Sequence, residues 1–389
     1  MIKGLKTGEW VTTSRLRVYP RLFLAVFVAI ALIVVVFRTG TLDAARKPLG
    51  TDFLSFWSAS NLLWQGRPEA AYDHSALMAI EQSVAGPDAP LYTWLYPPMA
   101  FLVVAPLAML SYLPSLLAWS TLTWLGYLTA LWRLLPDRRA LLAMLAFPAA
   151  FINLGHGQNG FLSAALLGWG LMLVPKRPWL GGVLLGLLVY KPQLGLLLPL
   201  ALAAAGYWRA ILSATLTVMT SAMLTWMLWG TEVWSAFLAK SGYSLQMLQE
   251  GLVPWHKMIS TFAAARLLGA SVYTAWMFQI AVGSIVALAV WWIWRGGAPY
   301  LVKIAVLATG TLLVAPLALD YDATVLGLAL AALVADGLQR GFLSWEISIL
   351  AFAWLTPFAW RPLTEMTDIP FGWMTVLLLV WTGMRRSTG

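Results

Sequence analysis

The amino-acid sequence predicts an all-α polytopic membrane protein, and its composition carries most of that prediction. Hydrophobic residues make up 60% of the 389 residues and charged residues only 11%, against about 25% charged residues in a typical soluble domain. A soluble fold of this size has no room to bury so much apolar surface. Tryptophan occurs 23 times, which fits many membrane interfaces, where indole rings settle. A secreted enzyme, a nucleic-acid-binding domain and a disordered scaffold are therefore excluded.

The apolar segments predict about 12 transmembrane helices within a single transmembrane domain, 1–389. The first span runs from Leu22 to Phe37 after a basic N-terminal segment, and we expect it to stay uncleaved because no small-residue cleavage site follows. Prolines interrupt the stretch 95–132, which we expect to be kinked or re-entrant. Further apolar segments occupy residues 139–153, 159–174, 179–190, 192–206, 209–229, 271–294, 301–319, 321–336, 342–360 and 369–384.

Clusters of lysine and arginine predict the side of the membrane that each connection faces. Basic clusters mark cytoplasmic connections, and this assignment places both termini in the cytoplasm. The outer connections, of which 39–94 and 230–270 are the longest, then hold most of the 16 acidic residues and all three histidines. The net charge of +9 therefore reflects topology and not a nucleic-acid partner. We expect a bacterial inner membrane, with the polar chemistry on its outer face.

The outer loop 39–94 contains a candidate general base. Residues 49–64 predict an amphipathic helix in the interface plane, and a second short helix is expected near 75–84. Asp52 lies at the start of the first helix. Its carboxylate is placed either to take a proton from a hydroxyl or only to cap the helix, and the spacing alone leaves both interpretations open.

Four stretches, taken in order, resemble glycosyltransferase family 87, the polyprenyl-phosphate-mannose-dependent mannosyltransferases of the GT-C superfamily. The similarity runs from about residue 50 to 335, and it depends on the order and spacing of the stretches more than on any one of them. The stretches are the acidic first outer loop followed by Tyr96-Pro97-Pro98, and residues 153–160 (NLGHGQNG), 182–193 (GVLLGLLVYKPQ) and 315–322 (APLALDYD).

The resemblance implies both a fold and a reaction. The fold is of the GT-C type, with amphipathic juxtamembrane helices in the first outer loop. The reaction moves a sugar, mannose in the family, from a polyprenyl-phosphate carrier to a hydroxyl of a lipid or glycan acceptor on the outer face, with inversion. Asp52 matches the family's general base. Because a lipid phosphate is a reasonable leaving group, such a site needs one base and cations or donors around the phosphate. No cofactor or divalent metal is expected.

The resemblance and the polar breaks between apolar segments give the other candidate site residues. The candidates for the donor phosphate are Arg67, Lys191, His256 and Lys257, and those for the sugar or acceptor are His156, Gln158, Asn159, Tyr321 and Asp322. Each has a structural alternative: a lysine at a helix break can snorkel or pair with a carboxylate such as Asp322, and polar groups at a helix end can satisfy the backbone. Asp320 is expected to cap a helix. Leu317 stands where the family often has a histidine, so a cationic contact to the phosphate is either missing or supplied by another residue.

A transporter or flippase for a lipid-linked saccharide is the alternative function. It would need charges near mid-span and a repeat of two halves, and the sequence shows no such repeat. The sequence also lacks the glycine-rich patterns that bind a soluble nucleotide-sugar donor. The absence of cysteine excludes disulfides and thiolate metal sites.

Overall fold

Nineteen α-helices follow one another along residues 2–388, which the computed structural model describes. The strand-like pairing within these residues is limited to three isolated β-bridges, so the predicted all-α class is confirmed. The helices are α1 (Ile2–Thr7), α2 (Thr13–Phe37), α3 (Phe53–Trp64), α4 (His74–Ala85), α5 (Phe101–Val104), α6 (Tyr112–Leu134), α7 (Arg138–Leu145), α8 (Pro148–His156), α9 (Gly160–Leu173), α10 (Pro178–Gly186), α11 (Leu198–Ala204), α12 (Trp208–Glu250), α13 (Thr261–Leu267), α14 (Val272–Arg295), α15 (Tyr300–Val314), α16 (Thr324–Arg340), α17 (Glu346–Leu355), α18 (Trp360–Thr367) and α19 (Phe371–Ser387). Short 3₁₀ helices lie at Pro68–Tyr72, Pro98–Ala100, Ala105–Met109, Leu187–Tyr190, Pro192–Gly195, Trp255–Lys257, Asp320–Ala323 and Thr356–Phe358.

Four helical stretches of the described chain are long and apolar enough to cross a membrane: α2, α12, α14 and Asp320–Arg340. Helices α7 and α8 meet at a bend of 42° and make a fifth if they count as one span. Other apolar helices have only 10–17 residues, whereas a span needs about 20. The chain is therefore a membrane protein by helix length and composition, and the predicted count of about 12 crossings is not confirmed.

Helix α16 lies at the centre of the bundle. Its sequence is apolar on nearly all sides, and 89% of its most apolar stretch is buried. Glycines on neighbouring helices allow close approach: a Cβ added to Gly168 of α9 would lie 2.7 Å from Leu328 Cδ2. The turn Asp320–Ala323 directly precedes α16, so the central helix fixes that turn. We call the end of the bundle with this turn and Asp52 the Asp52 end, and the opposite end the Arg386 end.

The segment 39–94 folds onto the Asp52 end and is more buried than the sequence predicts. Helix α3 is buried around much of its circumference, because its apolar residues Phe53, Leu54 and Phe56 and three of its serines are all at most 3% exposed. The serine hydroxyls look polar in the sequence, yet Ser60 Oγ donates to the carbonyl of Ala105 over 2.9 Å, so it is satisfied inside the protein. Helix α4 agrees with the second short helix predicted near 75–84.

Helix α12 bends at Gly230, where the backbone has φ 74° and ψ −172°, values that favour glycine. The second half, 231–250, runs across the segment 39–94. The ring of Phe237 lies 5.9 Å from that of Tyr72, and the ring of Tyr243 lies 4.8 Å from that of His74. With α13 (Thr261–Leu267) included, about two thirds of the predicted outer loop 230–270 is helix.

A buried group of charges ties the Arg386 end together. Arg386 of α19 pairs with Glu346 of α17 and with Asp336 of α16. Arg340 Nη2 also bonds Asp336 Oδ2 over 2.7 Å. Arg386, Glu346 and Asp336 are each at most 3% exposed, and such charges are tolerated in an interior only when they are paired. The cluster therefore clamps three helices at this end.

Candidate active site

The turn 155–160 between α8 and α9 packs directly on the residues that precede α3. The backbone N–H of Asp52 donates to the carbonyl of His156 over 3.1 Å. Gly157 has φ 60°, and a Cβ at this position would lie 2.6 Å from the Cβ of Phe53. Only glycine allows both this backbone conformation and this close approach. The glycine-rich turn predicted from the sequence therefore holds Asp52 in place.

The carboxylate of Asp52 makes no capping bond to α3. Its Oδ2 accepts from Gln158 Nε2 over 3.1 Å, and its Oδ1 lies 3.8 Å from His156 Nδ1, which is too long for a hydrogen bond. The side chain is 30% exposed. The capping interpretation is therefore wrong for this carboxylate, which is oriented by one amide and keeps an accessible oxygen.

Gln158 and Asn159 form a buried polar network with Tyr96. The Tyr96 hydroxyl donates to Gln158 Oε1 over 3.4 Å and accepts from Asn159 Nδ2 over 2.9 Å. Asn153 supports the same turn, because its side chain bonds the carbonyl of Gln158 and the N–H of Gly160. Both Gln158 and Asn159 are at most 5% exposed. The network thus joins the Tyr96-Pro97-Pro98 stretch to the turn that holds Asp52.

Lys191 lies in the same network and is buried. Its Nζ bonds Asp322 Oδ1 over 2.5 Å and Asn159 Oδ1 over 3.1 Å, and it sits 4.8 Å from the centre of the Tyr321 ring. Lys191 is 2% exposed and Asp322 is fully buried. Asp322 Oδ2 in turn accepts the N–H of Leu319 over 3.2 Å. The sequence left two interpretations of Lys191 open, a contact to the donor phosphate or a pair with a carboxylate such as Asp322. The structure shows the pair with Asp322.

Arg361 of α18 is a site residue that sequence reasoning missed. Its Nε donates to Asp320 Oδ2 over 2.7 Å, and its Nη2 lies 3.3 Å from His156 Nε2. Asp320 is therefore an ion-pair partner and not the helix cap that the sequence predicts. An arginine beside a tryptophan after an apolar segment is the signal that could have revealed Arg361, although its partner is distant in sequence.

His156 connects Arg361 with the loop that carries Asp52. An arginine side chain stays protonated, so His156 Nε2 is the acceptor of the Arg361 contact. His156 Nδ1 then carries the hydrogen and donates to Thr51 Oγ1, 2.8 Å away. The histidine side chain is 23% exposed and the arginine side chain 30%. Arg361, His156 and Asp52 therefore line one partly open region.

The other predicted phosphate contacts are not all brought to this region. The N–H of Ile259 donates to the carbonyl of Ala318 over 2.9 Å, so the 3₁₀ helix with His256 and Lys257 lies beside the turn Asp320–Ala323. Arg67 follows α3, whose 12 residues separate it from Asp52 by about 18 Å along the helix. Among residues 2–388, no three His, Asp or Glu side chains are grouped so as to hold a metal ion.

Comparison with known families gives the site its context. A helical membrane bundle whose polar turns converge on one partly exposed carboxylate is what a membrane-embedded transferase needs. The model of glycosyltransferase family 87 matches residues 94–318, more than half of the chain. The protein belongs to glycosyltransferase family 87, which confirms the predicted resemblance and makes it a membrane glycosyltransferase. Asp52 and Arg361 lie outside the matched residues. No curated protein and no solved structure matches the chain.

Proposed function

We propose that the protein transfers a sugar, mannose by family resemblance, from a polyprenyl-phosphate carrier to a hydroxyl of a lipid or glycan acceptor. The observation that carries this proposal is the Asp52 carboxylate, which is partly exposed, oriented by Gln158 and free of any capping bond. A membrane glycosyltransferase with one oriented carboxylate has the single base that a phosphate leaving group requires.

In this proposal Asp52 takes the proton from the acceptor hydroxyl as its oxygen attacks the anomeric carbon. The bond between that carbon and the phosphate oxygen breaks, and its electron pair leaves with the carrier phosphate. Attack from the face opposite the phosphate inverts the anomeric centre. Gln158 donates one hydrogen bond to Asp52 Oδ2, which leaves Oδ1 as the proton acceptor. The reaction needs no divalent metal in this scheme.

We assign the phosphate to the region of Arg361, His156 and Lys257. Leu317 stands where the family often has a histidine, and Arg361 supplies a cation in its place. Arg361 Nε and Nη2 contact Asp320 and His156, so in this proposal Nη1 is the guanidinium donor that is left for the phosphate. Lys191 is committed to Asp322 and Asn159, so in this proposal it positions the turn with Tyr321 instead of touching the phosphate.

The proposed location is the outer face of a bacterial inner membrane, with both termini in the cytoplasm. The basic clusters of the sequence support this orientation, because Asp52 lies at the end opposite Arg386 and the N-terminal lysines.

Asp52→Asn tests the assignment of the base. Purified protein in liposomes is given polyprenyl-phosphate-linked radiolabelled mannose and a lipid extract as acceptor. We expect the transfer rate to fall by about 10²–10⁴-fold, the usual contribution of a general base. Asp88→Asn, at an exposed acid in the same loop, should transfer at the wild-type rate.

If the Asp52→Asn variant transfers sugar at the wild-type rate, the assignment of Asp52 as the general base is refuted. Movement of a labelled lipid-linked sugar across the liposome membrane without any sugar transfer would instead favour the flippase alternative. Mass spectrometry of membrane lipids and glycans from cells with and without the gene would identify the sugar and the acceptor.

A further inference from the structure

Four side-chain hydrogen bonds in series connect the buried ammonium group of Lys191 with the carboxylate of Asp52. Lys191 Nζ bonds Asn159 Oδ1 over 3.1 Å, and Asn159 Nδ2 bonds the Tyr96 hydroxyl over 2.9 Å. That hydroxyl lies 3.4 Å from Gln158 Oε1, and Gln158 Nε2 lies 3.1 Å from Asp52 Oδ2. We call these four bonds and the five side chains that make them the Lys191 chain.

Lys191 sets the direction of the bonds in the Lys191 chain. An ammonium group can only donate, so the Asn159 amide turns its oxygen to Lys191 and its nitrogen to Tyr96. The Tyr96 oxygen accepts that bond, which leaves the one hydroxyl hydrogen for Gln158 Oε1. The backbone N–H of Asn159 donates to the same oxygen over 2.9 Å. Because two donors occupy its oxygen, the Gln158 amide presents its nitrogen to Asp52.

This direction gives the buried charge of Lys191 a role. An apolar side chain at position 191 would leave the Asn159 amide free to turn its oxygen to Tyr96 instead. The Tyr96 hydroxyl would then donate to Asn159, and Gln158 would lose one of its two donors. Lys191 is 2% exposed, and a buried charge is costly even when it is paired. The orientation of the Lys191 chain explains why a cation lies here although it is closed off from solvent.

We propose that Lys191 and Tyr96 are positioning residues for the reaction: through Gln158 they hold Oδ2 of Asp52 in place, so that Oδ1 stays free for the acceptor hydroxyl. This inference rests on the proposed function, because it takes Asp52 to be the base. Hydrogen bonds in series polarise one another in a low-dielectric interior, so each bond of the chain strengthens the last one. A base held in one orientation reacts faster, since catalysis depends on near-attack geometry. Neither residue touches the substrates in this proposal, so their loss lowers kcat and leaves KM unchanged.

Tyr96→Phe tests the Lys191 chain, because it removes one hydroxyl and keeps the aromatic ring. The bond to Gln158 is the longest of the four, so we expect kcat to fall by only about two- to fivefold, with the donor KM unchanged. Tyr190→Phe is the matched control. Tyr190 is also buried, and its hydroxyl bonds Ser163 Oγ and the backbone carbonyl of Asn159, which lie outside the chain. The control should keep the wild-type kcat.

A double-mutant cycle shows whether Tyr96 acts through Gln158. Gln158→Met removes the amide, so adding Tyr96→Phe to this variant should lower kcat no further. The melting temperature should instead fall with each change, since each removes a buried hydrogen bond. If the two reductions in kcat multiply, or if Tyr96→Phe alone keeps the wild-type kcat, the proposal is overturned.

An infrared measurement separates the Lys191 chain from the proposed reaction. The stretching band of the Asp52 carboxylate is obtained, in each background, as the difference between the spectra with and without Asp52→Asn. A weakened bond to Oδ2 shifts this band, so Tyr96→Phe and Gln158→Met should both shift it and Tyr190→Phe should not. If the band shifts in this way but no sugar transfer is found, the orientation of Asp52 through the chain is supported and the reaction fails. If transfer requires Asp52, yet neither kcat nor the band responds to Tyr96→Phe, the chain fails and the proposed function stands.

Discussion

The buried pair of Lys191 and Asp322 allows a test that separates structural support from chemistry. Lys191→Met removes one charge from a pair in which Lys191 is 2% exposed and Asp322 is fully buried. Breaking a buried pair from one side costs about 3–5 kcal/mol, because the remaining charge stays uncompensated. That is a large part of the 5–15 kcal/mol by which typical proteins are stable. We expect a clear loss of thermal stability in detergent.

The double variant Lys191→Met/Asp322→Leu decides the interpretation. It removes both charges, so we expect its stability to return to within about 2 kcal/mol of the wild type. The remaining cost is the unpaired N–H of Leu319, which bonds Asp322 in the wild type. Transfer activity should stay low, because Tyr321 and Asn159 lose the lysine that fixes them. The reasoning is refuted if Lys191→Met melts like the wild type, or if the double variant is less stable than the single one.

Three further predictions concern other charged groups. Arg361→Gln should raise the donor KM about tenfold or more and Arg361→Lys should restore part of it; an unchanged KM would exclude a phosphate contact. Burial raises the pKa of Glu81 to about 8 from 4.5. Glu81 therefore ionises in the unfolded chain at a lower pH than in the native protein, and the native protein loses stability as pH rises from 4.5 to 8. Glu81→Gln should therefore match the wild type at pH 4.5 and exceed its stability at pH 7 by about 3 kcal/mol; parallel melting curves across this range would contradict the assignment. Arg386→Met should cost about 3–5 kcal/mol, because it leaves the buried Glu346 without a cation while Asp336 keeps Arg340. Arg385→Met should cost under about 1 kcal/mol in the same melts; equal losses would show that the cluster is not the cause.

The polar turns of the site were predictable because they interrupt apolar segments. The turn 155–160 contains polar side chains that would lack hydrogen-bond partners within an apolar helix. Its position along the chain is therefore visible in the sequence. The family resemblance named Asp52 and Gln158 as candidates for one site, and the structure brings the two side chains together. The pairing of Lys191 with Asp322 was one of two alternatives, and only the three-dimensional arrangement distinguishes them.

Other features could not be predicted because they depend on partners distant in sequence. Arg361 and Asp320 are 41 residues apart, and nothing in the local pattern links them. In the sequence, Ser60 looks like part of the polar face of an interfacial helix. Its bond to the carbonyl of Ala105 forms only in the folded chain, so the local pattern does not reveal it. The count of about 12 crossings is not confirmed for a related reason: several apolar helices are too short to be assigned as spans from length and hydropathy alone.

The position of α16 has a consequence for how the protein moves. This helix joins the turn that carries Asp322 to the cluster that holds Arg386, so tilting one end would displace the other. Packed interiors resist such continuous deformation. We therefore expect α16 to stay in place during turnover. The parts that move should be residues 28–37 of α2, which are exposed except for Val34, and residues 231–250 of α12. Hydrogen exchange should then be slow in α16 and faster in these two flanking parts.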